Sequence, residues 1–182
     1  MKDTTGWIQT FTGRKFFPLE PDPQDICIED IAHALALQCR YTGHCSQFYS
    51  VAQHSVLVSY VCDPCDAFSG LMHDAAEAYL LDMPRPVKRT AFGKRFKDYE
   101  NVVSLAIAKR FGFPEIEPMS VKRADMVLLV TEARDLMSPL HPDWHYSPDK
   151  FETLPEKIKP WSCELAEREF LIRFERLTHA TN

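Results

Sequence analysis

Apolar residues recur at intervals of three and four along most of the chain, the period of helices that bury one face. Between 28 and 40 the spacing is kept by Ile28, Ile31, Ala32, Leu35, Ala36 and Cys39. Ser50-Val-Ala-Gln53 reads as a capping box that opens a second helix near 51–61. Asp63-Pro64 puts a capping carboxylate before a proline at the first helical position, which predicts a third helix over 64–81. Pro84 and Pro86 stop it in a tight connection. A fourth helix runs near 92–111 and ends at Gly112, a fifth follows Pro118 to about Met137, and a last one covers 163–177. Residues 139–160 are rich in proline and read as a loop. Residues 1–27 mix Trp7, Phe11, Phe16 and Phe17 with Pro18, Pro21 and Pro23, and read as a short irregular arm with a hairpin around Thr12-Gly13. Alternating patterns of the strand type are scarce. The predicted class is mainly α.

Length and composition narrow this further. A chain of 182 residues suits one domain over 1–182 with one sizeable core. Its 45% apolar and 26% charged residues have the balance of a soluble globular protein. No run approaches the 18 or so apolar residues of a membrane span, and the N-terminus lacks the apolar segment of a secretory signal, so a cytoplasmic location and no membrane partner are expected. Lys and Arg number 21 against 26 Asp and Glu, a net charge of −5. That disfavours binding of duplex nucleic acid but not a local pocket for a small anion. The six cysteines include Cys62-Asp-Pro-Cys65, half of a zinc site with no second pair to complete it, and are expected to be free thiols.

Candidate chemistry gathers around one histidine. His73 and Asp74 are followed by Glu77, and on a helix the pairs 73/77 and 74/77 share a face. Their helix is otherwise apolar, with Leu71, Met72, Ala75, Ala76, Leu80 and Leu81. Desolvating an imidazole and two carboxylates there is costly, and a bound cation would offset the cost. A short connection makes the second and third helices antiparallel neighbours, which brings His54 towards His73. Asp125 lies in a further apolar stretch, with only Lys122 and Arg123 as local partners. Blander readings exist for each: a buried salt-bridge network for His73, Asp74 and Glu77, a satisfied core histidine for His54, and an ion pair for Asp125. Asp82 can be a turn residue, Arg85 and Lys88 a solvated face, and Arg40 and Tyr41 surface residues after a helix end. His33 reads as core packing.

Taken together, His54, His73-Asp74 and Asp125 resemble the H…HD…D signature of HD-domain metal-dependent phosphohydrolases. The strings Tyr49-Ser-Val-Ala-Gln-His54-Ser, His73-Asp-Ala-Ala-Glu77 and Asp82-Met-Pro-Arg-Pro-Val-Lys88 sharpen the likeness towards bacterial 5′-deoxynucleotidases and phage dATP triphosphohydrolases. It spans about residues 28–137. The resemblance implies an HD-type helical bundle in which His54, His73, Asp74 and Asp125 hold one divalent metal ion, for which Mn, Co, Fe, Ni, Zn or Mg are candidates. It implies Glu77 as general acid/base or water-orienting group, Asp82 as a contact to the sugar hydroxyl, and Arg40, Tyr41, Arg85 and Lys88 as substrate-binding residues. Tyr41 stands where the deoxynucleotidases carry tryptophan.

The implied activity is hydrolysis of nucleotide phosphoesters, foremost deoxynucleoside 5′-monophosphates to deoxynucleoside and phosphate. Cleavage of a deoxynucleoside triphosphate with release of triphosphate uses the same ligand set. A non-catalytic module that senses a nucleotide is the rival of another class, and a purely structural helical protein a third. The related enzymes form homo-oligomers, so self-association is expected too.

Overall fold

A computed structural model describes residues 6–137 and 139–179, and helices dominate it. These are α1 (Ile28–Leu37), α2 (Val51–Val61), α3 (Ala67–Met72), α4 (Arg85–Lys88), α5 (Ala91–Phe111), α6 (Met119–Leu136) and α7 (Cys163–His179). The only strands among the described residues are β1 (Ile8–Gln9) and β2 (Lys15–Phe16), an antiparallel hairpin in the arm. The chain is therefore mainly α, as its apolar periodicity predicts. Residues 1–5 of the expected arm lie outside the described residues. No helix among the described residues is long and apolar enough to cross a membrane.

Helix α2 is the centre of the arrangement because it has almost no exposed face. Val51, Ala52, Val56 and Val58 are buried, and so are Gln53, His54, Ser55 and Ser59 between them. A helix buried all round needs neighbours on every side, and α2 packs against α1, α3, α6 and α7. One apolar cluster on its flank joins Ile31 and Leu35 of α1 to Val103 and Ile107 of α5 and Phe170 of α7. A second, on the other flank, joins Tyr49 and Val58 to Val121 and Leu128 of α6. Burying each such side chain contributes about 1.5–3 kcal/mol relative to exposure. Ser50 caps α2 by accepting from the Gln53 amide, but the reciprocal half of the capping box is absent, because the Gln53 side chain binds the Lys159 carbonyl and the Trp161 amide instead. Arg173 of α7 closes its other end, donating to the Ser59 carbonyl (2.8 Å) and hydroxyl (3.0 Å).

The contact of α3 with α2 is set by Gly70. A Cβ there would lie 2.8 Å from Cys62 Sγ and 3.2 Å from the Ser59 Cα. Only glycine lets the two backbones approach this closely.

Four local expectations are corrected. The third helix is not continuous over 64–81: a 3-10 turn at Pro64–Asp66 leads into α3, and a second at Ala75–Ala78 follows a break at His73-Asp74. No glycine or proline lies in 71–81 to announce that break; tertiary contacts of the polar pair override helix propensity. The Asp63 carboxylate makes no cap; the Asp66 amide donates to the Asp63 carbonyl instead. The connection at 84–88 contains a helical turn, α4. His33 is not core packing: half-buried, it lies 3.0 Å from Glu167 and stacks on Phe11. The six cysteines are free thiols.

Candidate metal centre and its cavity

His54 sits in the first turn of α2 with no solvent exposure. Its Nδ1 is 2.6 Å from Oε1 of Glu132, on the facing α6. A carboxylate only accepts, so Nδ1 carries the proton and donates. Nε2 then points the other way, to Asp125 Oδ1 at 3.3 Å and Asp74 Oδ2 at 3.7 Å.

His73 is oriented by the same logic. Its Nδ1 donates to the Gly70 carbonyl at 2.8 Å, and its Nε2 lies 3.2 Å from Asp74 Oδ2. The break after α3 makes this possible. On a continuous helix His73 and Asp74 would diverge by about 100°. In the 3-10 turn that follows, residues three apart eclipse, which stacks Glu77 beside Asp74. The Glu77 amide donates to the Asp74 carbonyl at 3.0 Å and fixes that turn.

The two imidazoles end with ring centroids 5.2 Å apart. His54, His73 and Asp74 each present one ligand atom, all within 4.8 Å of one another, so this group has the geometry to hold a metal ion. Asp125 stands at its edge, close to His54 but outside that group of three, and it also accepts from Arg85 at 3.3 Å. Its partner is thus neither Lys122 nor Arg123; Arg123 pairs with Glu152.

The donor set fits a divalent cation on two grounds. Both Nε2 atoms are buried and without a hydrogen-bond partner, and buried polar atoms are rarely left so. Each imidazole also has its other nitrogen tied to a fixed acceptor, the outer-shell arrangement that aims a histidine at a metal. Nitrogen and carboxylate donors together suit the borderline transition ions.

Charge at the centre is tightly coupled. Burial would raise the Asp74 pKa, but the charge of His73 beside it, then those of His54 and Arg40, hold it well below the carboxylate range. Asp125, against the same burial, is held down to about 2 by His54 and then His73. Burial lowers His73, yet Asp74 outweighs it and lifts the imidazole to about 9. Burial and the Arg40 charge push His54 down, and Glu132 and Asp125 more than reverse that. A cation held here would compete with these protons for the same nitrogens.

A cavity of about 1030 Å³ opens over the centre. All the candidate residues except His54, which sits behind, line its wall. Glu77 is buried, with Oε1 3.6 Å from Lys88 Nζ and Oε2 without a partner. Burial, then the charges of Asp74 and Asp82, raise its pKa well above the ordinary value. Burial also raises Asp82. Gln38 fixes this segment at both ends: its amide donates to the Glu77 carbonyl (2.9 Å) and accepts from the Asp82 amide (3.2 Å). Lys88 is anchored on Glu100 at 2.9 Å.

Arg40 and Tyr41 are not surface residues. Arg40 is buried, with Nε donating to Glu132 Oε2 at 3.1 Å and a terminal nitrogen 3.6 Å from Asp74. Tyr41 and Thr42 occupy the left-handed region at φ 55° and 56°, followed by Gly43 at 79°. Such strain persists only where surroundings over-determine it. Here the Tyr41 hydroxyl donates to Glu132 Oε2 at 2.9 Å, with the Leu129 carbonyl 3.2 Å away.

Glu132 is the residue the motif reading passes over. It is fully buried, and its oxygens accept from His54, Arg40, Tyr41 and Tyr49. A signal existed: Glu132 lies seven residues after Asp125, two turns along the same face of one apolar helix.

No protein-family model matches the sequence. The chain is 44% identical over 130 residues to the uncharacterized protein YfdR of Escherichia coli (strain K12), an overlap of 71% of this chain and 72% of that one. It is 39% identical over 127 residues to an uncharacterized protein of Rhodobacter capsulatus, covering 65% of this chain and 64% of the relative.

Proposed function

The chain belongs to the family of the Escherichia coli protein YfdR, and for this member of it we propose divalent-metal-dependent hydrolysis of nucleotide phosphoesters, foremost deoxynucleoside 5′-monophosphates. One observation carries the reading. Two buried imidazole nitrogens, each with its ring-mate already committed, converge with carboxylates at the floor of a cavity whose walls carry both acids and cations.

His54, His73, Asp74 and Asp125 would hold the ion. When bound, such an ion supplies positive charge to a phosphoryl oxygen and acidifies a water molecule. The chain's own groups do the rest. Arg40 keeps donors free beyond those spent on Glu132 and Asp74, and with Arg85 and Lys88 it orients the phosphate. Burial favours the protonated form of Glu77, and its unpartnered Oε2 on the cavity wall would serve as general acid to a leaving oxygen. Asp82 accepts from a sugar hydroxyl. The ring of Tyr41, fixed by its hydroxyl, offers a wall to the base.

The size of the cavity, and Arg89 and Lys97 farther along its wall, favour a second reading with the same centre, cleavage of a deoxynucleoside triphosphate to release triphosphate. The test is a substrate screen with Mn²⁺, Co²⁺ and Mg²⁺ against dAMP and dATP, resolving phosphate from triphosphate. Metal-dependent turnover of either substrate is expected. Tight nucleotide binding without turnover under every metal would replace the enzyme by a sensing module.

A further inference from the structure

Four donors converge on the buried Glu132 carboxylate, and they tie together two different parts of the site. Oε1 accepts from His54 Nδ1 (2.6 Å) and the Tyr49 hydroxyl (2.9 Å). Oε2 accepts from Arg40 Nε (3.1 Å) and the Tyr41 hydroxyl (2.9 Å). Of the first pair, His54 belongs to the cation site and Tyr49 to the apolar cluster behind it, while the second pair holds the strained turn at 40–43 that forms the cavity wall. We propose that Glu132 is the positioning residue of the site, one buried carboxylate that aims the His54 Nε2 at the cation and fixes Arg40 and Tyr41 against the substrate. This rests on the cation site of the proposed function and adds to it a group that touches neither ion nor substrate.

The chemistry of an isosteric replacement makes the proposal testable. In Glu132→Gln one oxygen becomes an NH₂ group, which donates. In the Oε2 place it would meet the Tyr41 hydroxyl, which can accept, but also the Arg40 Nε–H, and a guanidinium cannot accept. Next to Oε1 the neighbours are an imidazole nitrogen and a phenol oxygen, and both can accept. The NH₂ group therefore settles beside His54. Nδ1 becomes the acceptor, the ring proton moves to Nε2, and the nitrogen that faces the cation loses its free lone pair. Volume and buried shape are unchanged, so the effect is one of proton placement rather than packing.

The experiment uses the full chain, with folding of each variant checked by far-UV circular dichroism. Two quantities are read: the Co²⁺ dissociation constant at fixed pH, and the His54 Nδ1–H resonance in the ¹⁵N-labelled, Zn²⁺-loaded protein. Wild type is expected to show a slowly exchanging Nδ1–H. Glu132→Gln is expected to lose it and to bind Co²⁺ roughly ten- to a hundredfold more weakly, the usual effect of losing an outer-shell partner. Tyr49→Phe removes a donor from the same oxygen but leaves the His54 bond, and is expected to bind Co²⁺ close to wild type. Equal weakening by both variants would reduce Glu132 to a structural role and overturn the proposal. So would wild-type affinity in Glu132→Gln. Should that variant not fold, the wild-type spectrum decides alone: a Zn²⁺-loaded protein with no protected His54 Nδ1–H contradicts the proposal. Failure of wild type to bind Co²⁺ at all overturns the cation site itself, which separates the two readings.

Discussion

Replacing Arg40 with methionine removes the one guanidinium buried in the site while keeping its bulk. Arg40 Nε is 3.1 Å from a Glu132 oxygen, a separation at which the attraction at an effective dielectric of 20 is about 5 kcal/mol. Removing one partner of a buried pair typically costs about 3–5 kcal/mol, because the other charge stays behind. Glu132 keeps His54, Tyr41 and Tyr49, so the lower end applies, about 3 kcal/mol. For a chain of this size each kcal/mol moves the melting temperature by about 2–4 °C, giving a fall of roughly 6–12 °C for Arg40→Met. The assay is thermal and urea unfolding in excess chelator. The double variant Arg40→Met with Glu132→Gln is expected to cost less than the sum of the two, since neither charge is then stranded. A loss below about 1 kcal/mol, the range of an exposed pair, would refute the idea that Arg40 is part of the buried framework.

Other consequences are as direct. Glu77→Gln is expected to keep metal content while lowering kcat by about 10²–10⁴-fold; loss of metal in that variant would place Glu77 among the ligands instead. Because His73 is lifted from 6.5 to about 9, its contribution to the stability of chelated protein is full below pH 6.5 and is lost as pH rises through 9. Urea midpoints across that window check this, and a midpoint that stays level would contradict it. Cation uptake should strengthen over the same window and release protons, measured by calorimetry in buffers of different ionisation enthalpy. A Cβ at position 93 would lie 2.2 Å from the Val87 carbonyl oxygen and 2.5 Å from the Lys88 Cα, backbone atoms that cannot rotate aside. Gly93→Ala is therefore expected to push α4 and Lys88 off α5 at a cost of about 1–3 kcal/mol, and an unchanged melting temperature would show that α4 yields freely.

How legible this was depended on whether a feature is local. The helices announce themselves by apolar spacing and by Ser50 and Gly112, whose roles are set within a few residues. The approach of His54 to His73 follows from a short connection between apolar helices, so it too could be read. The break at His73-Asp74 could not, because the mild helix propensities of His and Asp do not end a helix by themselves and the convergence of distant charges decides it. Arg40 follows a helix end, where a surface position is the ordinary expectation; its burial depends on Glu132, 92 residues away. Gln38 is likewise an unremarked polar residue until the segment it clamps is folded beside it. Glu132 was the readable omission, since its register with Asp125 is plain in the sequence.

The proposed chemistry requires one cation to meet two imidazoles and at least one aspartate. Titration of the metal-free protein with Co²⁺, followed by its visible absorption, tests that most directly. One equivalent per chain with a nitrogen-and-oxygen ligand spectrum is expected, abolished in His73→Ala and in Asp74→Ala. A spectrum that survives both substitutions, or no uptake by wild type up to millimolar Co²⁺, would contradict it.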